Sequence, residues 1–230
     1  MIESDLELVS LDSATRTLTL SGSGVTDEGV KHLRHLKLET LEMRNTSVTD
    51  GGLSALAQLS GLRALHLESK RISNAGLVHL RGLESLRELT VLSPKVSDDG
   101  MEHLGAITPL EILRVRSHHI RGEDGFWKIG QLSRLRELDL ADSCVGDEGL
   151  GRLAGLMELE TLNLYRTLVT GTGFGELQHL HRLGSILLPG SHVRDRGVLQ
   201  IAGLPGLKRL SITGIGITNQ TLRHLRGKAS

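Results

Sequence analysis

The histidines are the residues of this chain best suited to bind a metal ion, so we consider them first. His32, His79, His103 and His224 occupy the same place within a recurring pattern of leucines. A zinc site needs three or four Cys, His or carboxylate ligands at one point, yet only His79 and His103 lie in adjacent copies of the pattern. We therefore interpret these histidines as polar residues beside helical leucines, and predict no metal site.

A nucleophile and a phosphate-binding loop are the next candidates for chemistry. Cys144 is the only cysteine, which excludes an intrachain disulfide, and we interpret it as a free thiol rather than a catalytic nucleophile. The segments GSGVTDEG and GTGFGE contain clustered glycines but lack the Lys-Ser/Thr ending of a P-loop. The sequence thus predicts no catalytic residue and no cofactor, and indicates that the chain is not an enzyme.

The stretch LRELDLADSCVGDEGLGRLAGLME, residues 135–158, shows which elements position these residues. Leu135, Leu138 and Leu140 follow LxxLxL spacing, which is typical of a strand because successive side chains face opposite ways. Leucines three apart after GDEG are typical of one face of a short helix. A strand–turn–helix unit of this kind cannot bury both apolar faces alone, so it needs a copy on each side.

The copies, which we call coils, recur along the whole chain. After the first, they begin at steps of 24, 24, 24, 25, 24, 24 and 24 residues, at Leu38, Leu62, Leu86, Leu110, Leu135, Leu159, Leu183 and Leu207. We predict a single domain over residues 1–230 with about nine 24-residue repeats at 15–226 and a tail at 227–230.

Two departures from the regular pattern carry their own predictions. Residues 1–14 are a possible N-terminal cap, in which Leu6, Leu8 and Leu11 would form an edge strand. The one longer step adds a residue between Ile120 and Phe126. We expect this residue to form a local bulge on the helical side of the chain.

Each turn contains signals for the start of a helix. Thr or Ser followed by Asp recurs there, and the hydroxyl can accept a hydrogen bond from an exposed backbone N–H. An adjacent carboxylate such as that of Asp27 or Asp50 suits the positive end of the helix dipole. Glycine follows, although it disfavours a helix interior by ~1 kcal/mol relative to alanine. Its recurrence predicts tight contact between adjacent coils, at Gly29, Gly52, Gly76, Gly100, Gly125, Gly149, Gly173 and Gly197.

The pattern LxxLxLxx(T/S)xVTDxGLxxLxxL resembles leucine-rich-repeat proteins of the ribonuclease-inhibitor-like class, especially the repeats found beside F-boxes and in bacterial proteins. The 14 residues before the first repeat are too few for an F-box. The resemblance implies an α/β right-handed solenoid with a parallel sheet on its concave face and short helices on its convex face. It also implies protein binding as the usual function.

Hydroxyl residues stand after the strand, where many members of the class have asparagine or cysteine. They are Ser23, Thr46, Ser143, Thr167 and Ser191. A hydroxyl can bond neighbouring backbone in this role. Four other residues interrupt the series, namely Lys70, Pro94, His118 and Ile215.

Composition bounds the partner and the compartment. Lys+Arg and Asp+Glu are 27 each, so the formal net charge is zero, whereas nucleic acid and anionic membranes favour basic surfaces. No apolar stretch approaches the ~20 residues of a membrane helix, and the segment MIESDLELVS lacks the features of a signal peptide. We predict a cytoplasmic protein that binds neither nucleic acid nor membrane.

Strand residues between the leucines form surface columns on the predicted sheet. One column runs Thr19, Glu42, His66, Thr90, Arg114, Asp139, Asn163, Leu187 and Ser211, and the next runs Ser21, Arg44, Glu68, Leu92, Arg116, Ala141, Tyr165, Pro189 and Thr213. A third includes Asn45, Ser69, Ser93, Ser117, Asp142 and Arg166. Neighbours in a column lie ~4.8 Å apart, so we predict three ion pairs, namely Arg44–Glu68, Arg114–Asp139 and Asp142–Arg166.

Arg116 and Tyr165 have no charged neighbour in their column. Arg and Tyr are favoured anchors of protein interfaces. We therefore predict a partner-binding patch on the concave face, made of Leu92, Arg116, Tyr165, Arg166, His66, Arg114, Asn163 and Leu187.

The leading hypothesis is a non-enzymatic module that binds another protein through its concave sheet. One alternative is a substrate-receptor or regulatory subunit of a larger enzyme complex, such as a ubiquitin ligase. Two others are a hydrolase with an unrecognised concave site and a purely structural, self-associating solenoid. Self-association would use the end coil, whose apolar residues have no following repeat to cover them: Ile212, Ile217, Leu222 and Leu225.

Overall fold

The structure, a computed structural model, describes residues 1–213 together with Thr218 and Thr221. Several predictions lie outside these residues, namely those for Ile215, Ile217, Leu222, His224, Leu225 and the tail at 227–230. Of the predicted end-coil residues, Ile212 is described and is half-buried.

Ten strands form one parallel sheet in which each strand pairs with the next along the chain. The strands are β1 Ile2–Ser4, β2 Thr17–Gly24, β3 Thr40–Arg44, β4 Ala64–Glu68, β5 Glu88–Leu92, β6 Ile112–Arg116, β7 Glu137–Asp139, β8 Thr161–Asn163, β9 Ser185–Pro189 and β10 Arg209–Thr213. Strands β2 to β10 stand where the leucine pattern predicts them. The ninth coil extends beyond the described residues, so the number of complete coils stays a prediction.

Short helices connect the strands on the other side of each coil. The α-helices are α1 Asp5–Leu8, α2 Asp27–Val30, α3 Asp50–Leu56, α4 Asn74–Leu77, α5 Asp98–Leu104, α6 Phe126–Ile129, α7 Asp147–Gly151 and α8 Asp195–Ile201. Segments of 3-10 helix span Lys31–His35, Val78–Gly82 and Thr172–Leu177. The predicted order of strand, turn and short helix is confirmed.

The core lies between the sheet and the helices and runs without interruption from Ile2 to Leu204. Leu138 and Leu140, which belong to the LxxLxL pattern, are fully buried. Phe126 and Phe174 have the largest of the fully buried side chains. Leucine fills most of the other core positions and Val, Ile or Met the rest, because the repeated geometry offers similar space in each coil.

The N-terminal cap differs from the prediction. Strand β1 is Ile2–Ser4, and Leu6 and Leu8 belong to α1, so the expected edge strand of Leu6, Leu8 and Leu11 is wrong. The LxL spacing indicated a strand, but the preceding Ser-Asp is a helix-start signal of the kind found in the repeats. Leu8 is fully buried, whereas Leu6 is 85% exposed.

A series of aspartates joins several helix starts to the next coil. The backbone N–H of Thr26 donates to Asp5 Oδ1 at 2.8 Å, and that of Thr49 donates to Asp27 Oδ1 at 2.7 Å. The hydroxyls of Thr26 and Thr49 donate to the second oxygen of the same carboxylates. Asp50 binds Ser73 in the same way. The carboxylate thus couples two coils, a role beyond the predicted interaction with its own helix dipole.

The recurring glycines leave space for these carboxylates. A Cβ on Gly76 would lie 3.0 Å from Asp50 Cα and closer still to Asp50 Oδ1. A Cβ on Gly100 would lie 2.5 Å from the Oδ1 atom of Asn74, which replaces aspartate in that coil. The predicted tight contact between coils is confirmed. In the first coils the close neighbour is the polar side chain of the preceding helix start, whereas at Gly125, Gly149, Gly173 and Gly197 it is backbone of the preceding coil.

The turn hydroxyls follow a different rule from the predicted one. Some coils place the buried hydroxyl one residue earlier, relative to the strand, than others. The earlier position holds Ser69, Ser93 and Ser117, and the later position holds Thr46, Ser143, Thr167 and Ser191. The predicted interruptions at Lys70, Pro94 and His118 are therefore wrong, because a serine just before each residue supplies the hydroxyl. Ser93 Oγ donates to Ile72 O and Ser143 Oγ donates to Leu140 O, both at 2.7 Å.

The later hydroxyl position needs a residue in the left-handed region before it. Asn45, Asp142 and Arg166 have φ of 52°, 57° and 53°. The predicted third column therefore combines two turn types. In the coils with the earlier hydroxyl its members are buried serines, and in the others they are exposed or half-buried turn residues.

The extra residue between Ile120 and Phe126 is accommodated outside the sheet, as predicted. Strand β6 pairs with β7 at an offset of 25 residues, Ile112 with Glu137, and the pairing stays regular. Gly122 has a φ of 82°, and a Cβ there would lie 2.8 Å from Gly149 Cα in the next coil. The bulge therefore needs glycine for both its backbone angle and its close packing.

Candidate protein-binding surface

The exposed face of the sheet has three rows of side chains, because alternate strand residues point away from the core. Two rows are the predicted columns that contain Arg114 and Arg116. The third was missed because it lies before the first LxL leucine of each coil. It consists of Thr17, Thr40, Ala64, Glu88, Ile112, Glu137, Thr161, Ser185 and Arg209.

Arg114 pairs with two carboxylates of the missed row. Its Nη1 lies 2.5 Å from Glu88 Oε1 and its Nε lies 2.8 Å from Glu137 Oε1. The predicted Arg114–Asp139 pair is wrong, although their Cα atoms are partners in the sheet. Burial opposes the charged form of Arg114, but hydrogen bonds to Glu88 and Glu137 outweigh it and raise the pKa of Arg114.

Arg116 also has a charged partner, which lies outside its own column. Its Nη2 lies 3.2 Å from Asp139 Oδ2, in the neighbouring row. The other oxygen of Asp139 accepts a hydrogen bond from Ala141 N at 2.8 Å. Neighbours within one column did not reveal this pair, because a long arginine side chain reaches diagonally across the sheet. The Arg116 side chain still keeps 47% of its surface exposed.

Of the two remaining predicted ion pairs, one is confirmed and the other is wrong. Arg166 Nη1 lies 3.3 Å from Asp142 Oδ1, so the Asp142–Arg166 pair is confirmed. Arg44 instead pairs with Glu42 on its own strand, at 3.3 Å. The predicted Arg44–Glu68 ion pair is therefore wrong. These exposed contacts typically contribute ~0.2–1 kcal/mol each.

His66 lines a shallow depression of about 190 Å³ on β3 to β6. Arg114 and Glu88 belong to the same depression. Burial, and next to it the charge of Arg44, lower the pKa of His66. The Nε2 atom of His66 has no hydrogen-bond partner and lies 4.0 Å from Glu68 Oε2. The lowered pKa therefore favours the neutral form of the imidazole.

The second part of the surface surrounds Tyr165, which is 41% exposed just after β8. Its backbone N–H donates to Asn163 Oδ1 at 3.1 Å. The guanidinium carbon of Arg166 lies 5.9 Å from the centre of the Tyr165 ring. Leu187 is half-buried and is the Cα partner of Asn163. Leu168, which the column pattern did not select, is also 50% exposed.

The eight predicted residues thus fall into two groups. One lies on β4 to β6 and the other on β8, β9 and the turn after β8. Strand β7 separates them, since Asp139 and the nearby Ala141 are buried between the two groups.

His32, His79 and His103 lie in the helical segments rather than on this face, and Cys144 lies in the turn before α7. Among residues 1–213, 218 and 221, no three His, Cys, Asp or Glu side chains are grouped to hold a metal ion. His103 Nδ1 lies 2.5 Å from Arg81 Nη2, and burial followed by the charge of Arg81 lowers its pKa. Cys144 is a half-buried free thiol. In the described part of the chain, no helix is both long and apolar enough to cross a membrane.

Comparison with known proteins agrees with this geometry. A family model described as Leucine Rich repeat matches residues 31–57 and 132–154. Each segment contains one strand, β3 or β7, with helical leucines on either side of it. The fold is a leucine-rich-repeat solenoid.

Solved leucine-rich-repeat structures resemble the chain over most of its length. Internalin C2 from Listeria monocytogenes has a TM-score of 0.61 at 21% identity, covering 91% of this chain and 84% of that one. An internalin (inlF) from the same species gives 0.55 at 20% identity, covering 90% and 69%. The plant peptide hormone receptor RGFR1 in complex with RGF2 gives 0.58 at 20% identity, covering 87% and 34%. A comparison with curated protein sequences gives no match.

Proposed function

We propose that this leucine-rich-repeat chain is a non-enzymatic module that binds another protein through the concave sheet. The observation that supports this most directly is the exposure of Arg116 and Tyr165 on a rigid face. The Arg116 side chain is 47% exposed and Tyr165 is 41% exposed. Both residue types are common anchors of protein interfaces, and half-buried Leu92 and Leu187 add apolar area beside them.

The charges of the face suit recognition better than acid–base catalysis. Glu88 and Glu137 are both bonded to Arg114, and Asp139 is bonded to Arg116 and to a backbone N–H. Each of these carboxylates is committed to an arginine partner rather than free to act on a substrate. Such carboxylates fix the arginine side chains in place, so less side-chain entropy is lost when a partner binds.

Family and neighbour information supports the same proposal. Leucine-rich-repeat proteins commonly mediate protein–protein recognition, and the plant receptor structure contains a peptide hormone. The TD-x-GL turns and the coupled aspartates support assignment of the repeats to the ribonuclease-inhibitor-like class. An adaptor or substrate-receptor role is a narrower form of the proposal, which differs only in the identity of the partner.

The test compares matched variants as bait in a pulldown from the native lysate. Tyr165→Ala removes the exposed aromatic residue of the concave side. Trp127→Ala is its control, since Trp127 is 47% exposed in α6, where Lys128 Nζ lies 4.3 Å from the centre of its ring. Arg116→Ala has Arg63→Ala, at a strand edge, as its control. Circular dichroism first establishes that all four variants are folded.

A protein that the wild type captures and the concave variants lose supports the proposal, once titration calorimetry confirms the loss. We expect each concave truncation to weaken binding by at least ~2 kcal/mol. If Trp127→Ala no longer captures the partner protein but Tyr165→Ala still does, the binding surface lies on the helical side. If the bait captures only further copies of this chain, the self-associating solenoid is favoured.

A further inference from the structure

One row of charged residues stands at the rim of the sheet, immediately before β2 to β10. The row consists of Arg16, Glu39, Arg63, Arg87, Glu111, Arg136, Glu160, Gly184 and Lys208. Backbone hydrogen bonds link the residues in sequence, for example Glu160 N to Arg136 O at 2.8 Å and Lys208 N to Gly184 O at 2.9 Å. Side chains on this row are therefore neighbours, as on the strands themselves.

Acidic and basic members of the rim row pair with each other in the middle of the solenoid. Arg87 Nε lies 3.7 Å from Glu111 Oε1, and Arg136 Nη1 lies 3.7 Å from Glu160 Oε1. The row of charges is interrupted at Gly184, which stands between Glu160 and Lys208 and offers no side chain to either. Within the described residues, neither Lys208 nor its neighbour Arg209 forms an ion pair.

A groove of about 700 Å³ opens at this place. Its lining includes His181, Arg182, Gly184, Lys208 and Arg209. The charge of Arg182 is already bound by Glu158, and Glu160 is the acid that faces Arg136. The two cations without a partner thus give the groove a net positive charge, although the whole chain is neutral.

We propose that this groove binds an acidic segment of a partner protein, with one carboxylate in the place where the rim row lacks an acidic side chain. The space is larger than a single small anion requires, and it continues onto the concave face through Thr161, Ser185 and Arg209. An extended glutamate- or aspartate-containing peptide fits both the charge and the shape. The site uses none of the residues of the proposed concave patch.

The missing side chain offers a direct test. A Cβ on Gly184 would meet only ordinary contacts, Gly206 O at 3.5 Å and Lys208 Cδ at 3.9 Å. Its φ lies outside the left-handed region, so Gly184→Glu should fold and place an intramolecular carboxylate beside Lys208. Gly82→Glu is the matched control. It adds the same charge at a glycine whose Cβ would meet nothing within 4 Å.

Binding of a short fluorescent glutamate-rich peptide is measured by fluorescence polarisation at low ionic strength, with a glutamine-rich peptide of equal length as reference. We expect Gly184→Glu to weaken binding about fivefold and Lys208→Ala about threefold, as the loss of exposed ion pairs would. Gly82→Glu and Tyr165→Ala should leave the affinity unchanged. Added salt should weaken it, because exposed charges are screened.

Three results would overturn the proposal. The first is no preference for the glutamate-rich peptide over the glutamine-rich one. The second is an equal loss in Gly184→Glu and Gly82→Glu, which would indicate a general charge effect. The third is binding of inorganic phosphate to the groove without binding of the peptide. Because Tyr165→Ala tests only the concave patch, failure here leaves that proposal standing, and the reverse also holds.

Discussion

Replacing Gly76 with alanine tests whether the aspartates that join adjacent coils determine where glycine is needed. Gly76 is buried in α4, opposite the carboxylate of Asp50. That carboxylate accepts hydrogen bonds at 2.7 Å from Ser73 N and at 2.6 Å from Ser73 Oγ. A methyl group at Gly76 would overlap Asp50 Oδ1 and lie 3.0 Å from Asp50 Cα. The carboxylate can move away only by losing its bonds to Ser73.

Two opposing effects set the size of the change. Alanine is favoured over glycine in a helix by ~1 kcal/mol. Overpacking of a close-packed site usually costs ~1–3 kcal/mol, and one lost hydrogen bond to a charged group costs ~1.5–3 kcal/mol. We expect Gly76→Ala to lower the free energy of unfolding by about 1–3 kcal/mol. Gly82→Ala, which meets open space, should leave it unchanged or raise it by up to ~1 kcal/mol.

Urea titrations followed by circular dichroism measure both variants, and a double-mutant cycle identifies the cause. In an Asp50→Ala background the carboxylate is gone, so the cost of Gly76→Ala should fall by about 1–3 kcal/mol. A midpoint for Gly76→Ala equal to that of the wild type, at an unchanged denaturant slope, would refute the reasoning. A cost that persists in the Asp50→Ala background would also refute it, by assigning the overlap to backbone alone.

Two further predictions concern the core and the pH dependence. Leu138→Ala should cost ~2–5 kcal/mol of unfolding free energy, whereas Leu199→Ala, at a position that is 42% exposed, should change it by less than ~0.5 kcal/mol; similar losses in urea titrations would contradict the nearest-neighbour packing of the coils. Burial tends to raise the pKa of Asp147, but hydrogen bonds from Thr170, Gly173 and Gly171 outweigh it and lower that pKa below 3.8. The resulting stability is therefore present above the pKa that Asp147 has in the unfolded chain, and it is lost as the pH falls through the pKa of the folded state. When the pH is lowered below 3.8, the urea midpoint should fall less steeply in Asp147→Asn than in the wild type.

The regular part of the fold is predictable because each coil solves the same packing problem. The LxxLxL leucines are buried in nearly every coil, and their spacing fixes strand, turn and helix. The cap is less predictable, since Leu6 and Leu8 match a strand pattern while Ser4 and Asp5 indicate a helix start. The buried position of Leu8 was decided by packing against the first coil rather than by local spacing.

The concave site could be predicted to the level of strand register but not to that of side-chain pairs. Arg116 and Leu92 are Cα partners, as their column position predicts. Register gives no information on how far a flexible side chain reaches, so the Arg116–Asp139 pair was missed. The row that contains Glu88 was missed because the LxL motif does not include it, although the period-two alternation of the strand extends to that row.

The turn after β8 shows how the regular core prepares one residue for binding. Thr167 Oγ1 donates to Leu164 O at 2.8 Å, and Arg166 N donates to Pro189 O at 2.9 Å. Asn163 Oδ1 accepts from Tyr165 N on the other side. These bonds fix the backbone on both sides of Tyr165, so the exposed ring starts from a defined position and less entropy is lost on binding. An aromatic residue on a mobile loop would lose more, so the proposed binding role of Tyr165 gains support from this geometry as well as from its exposed area.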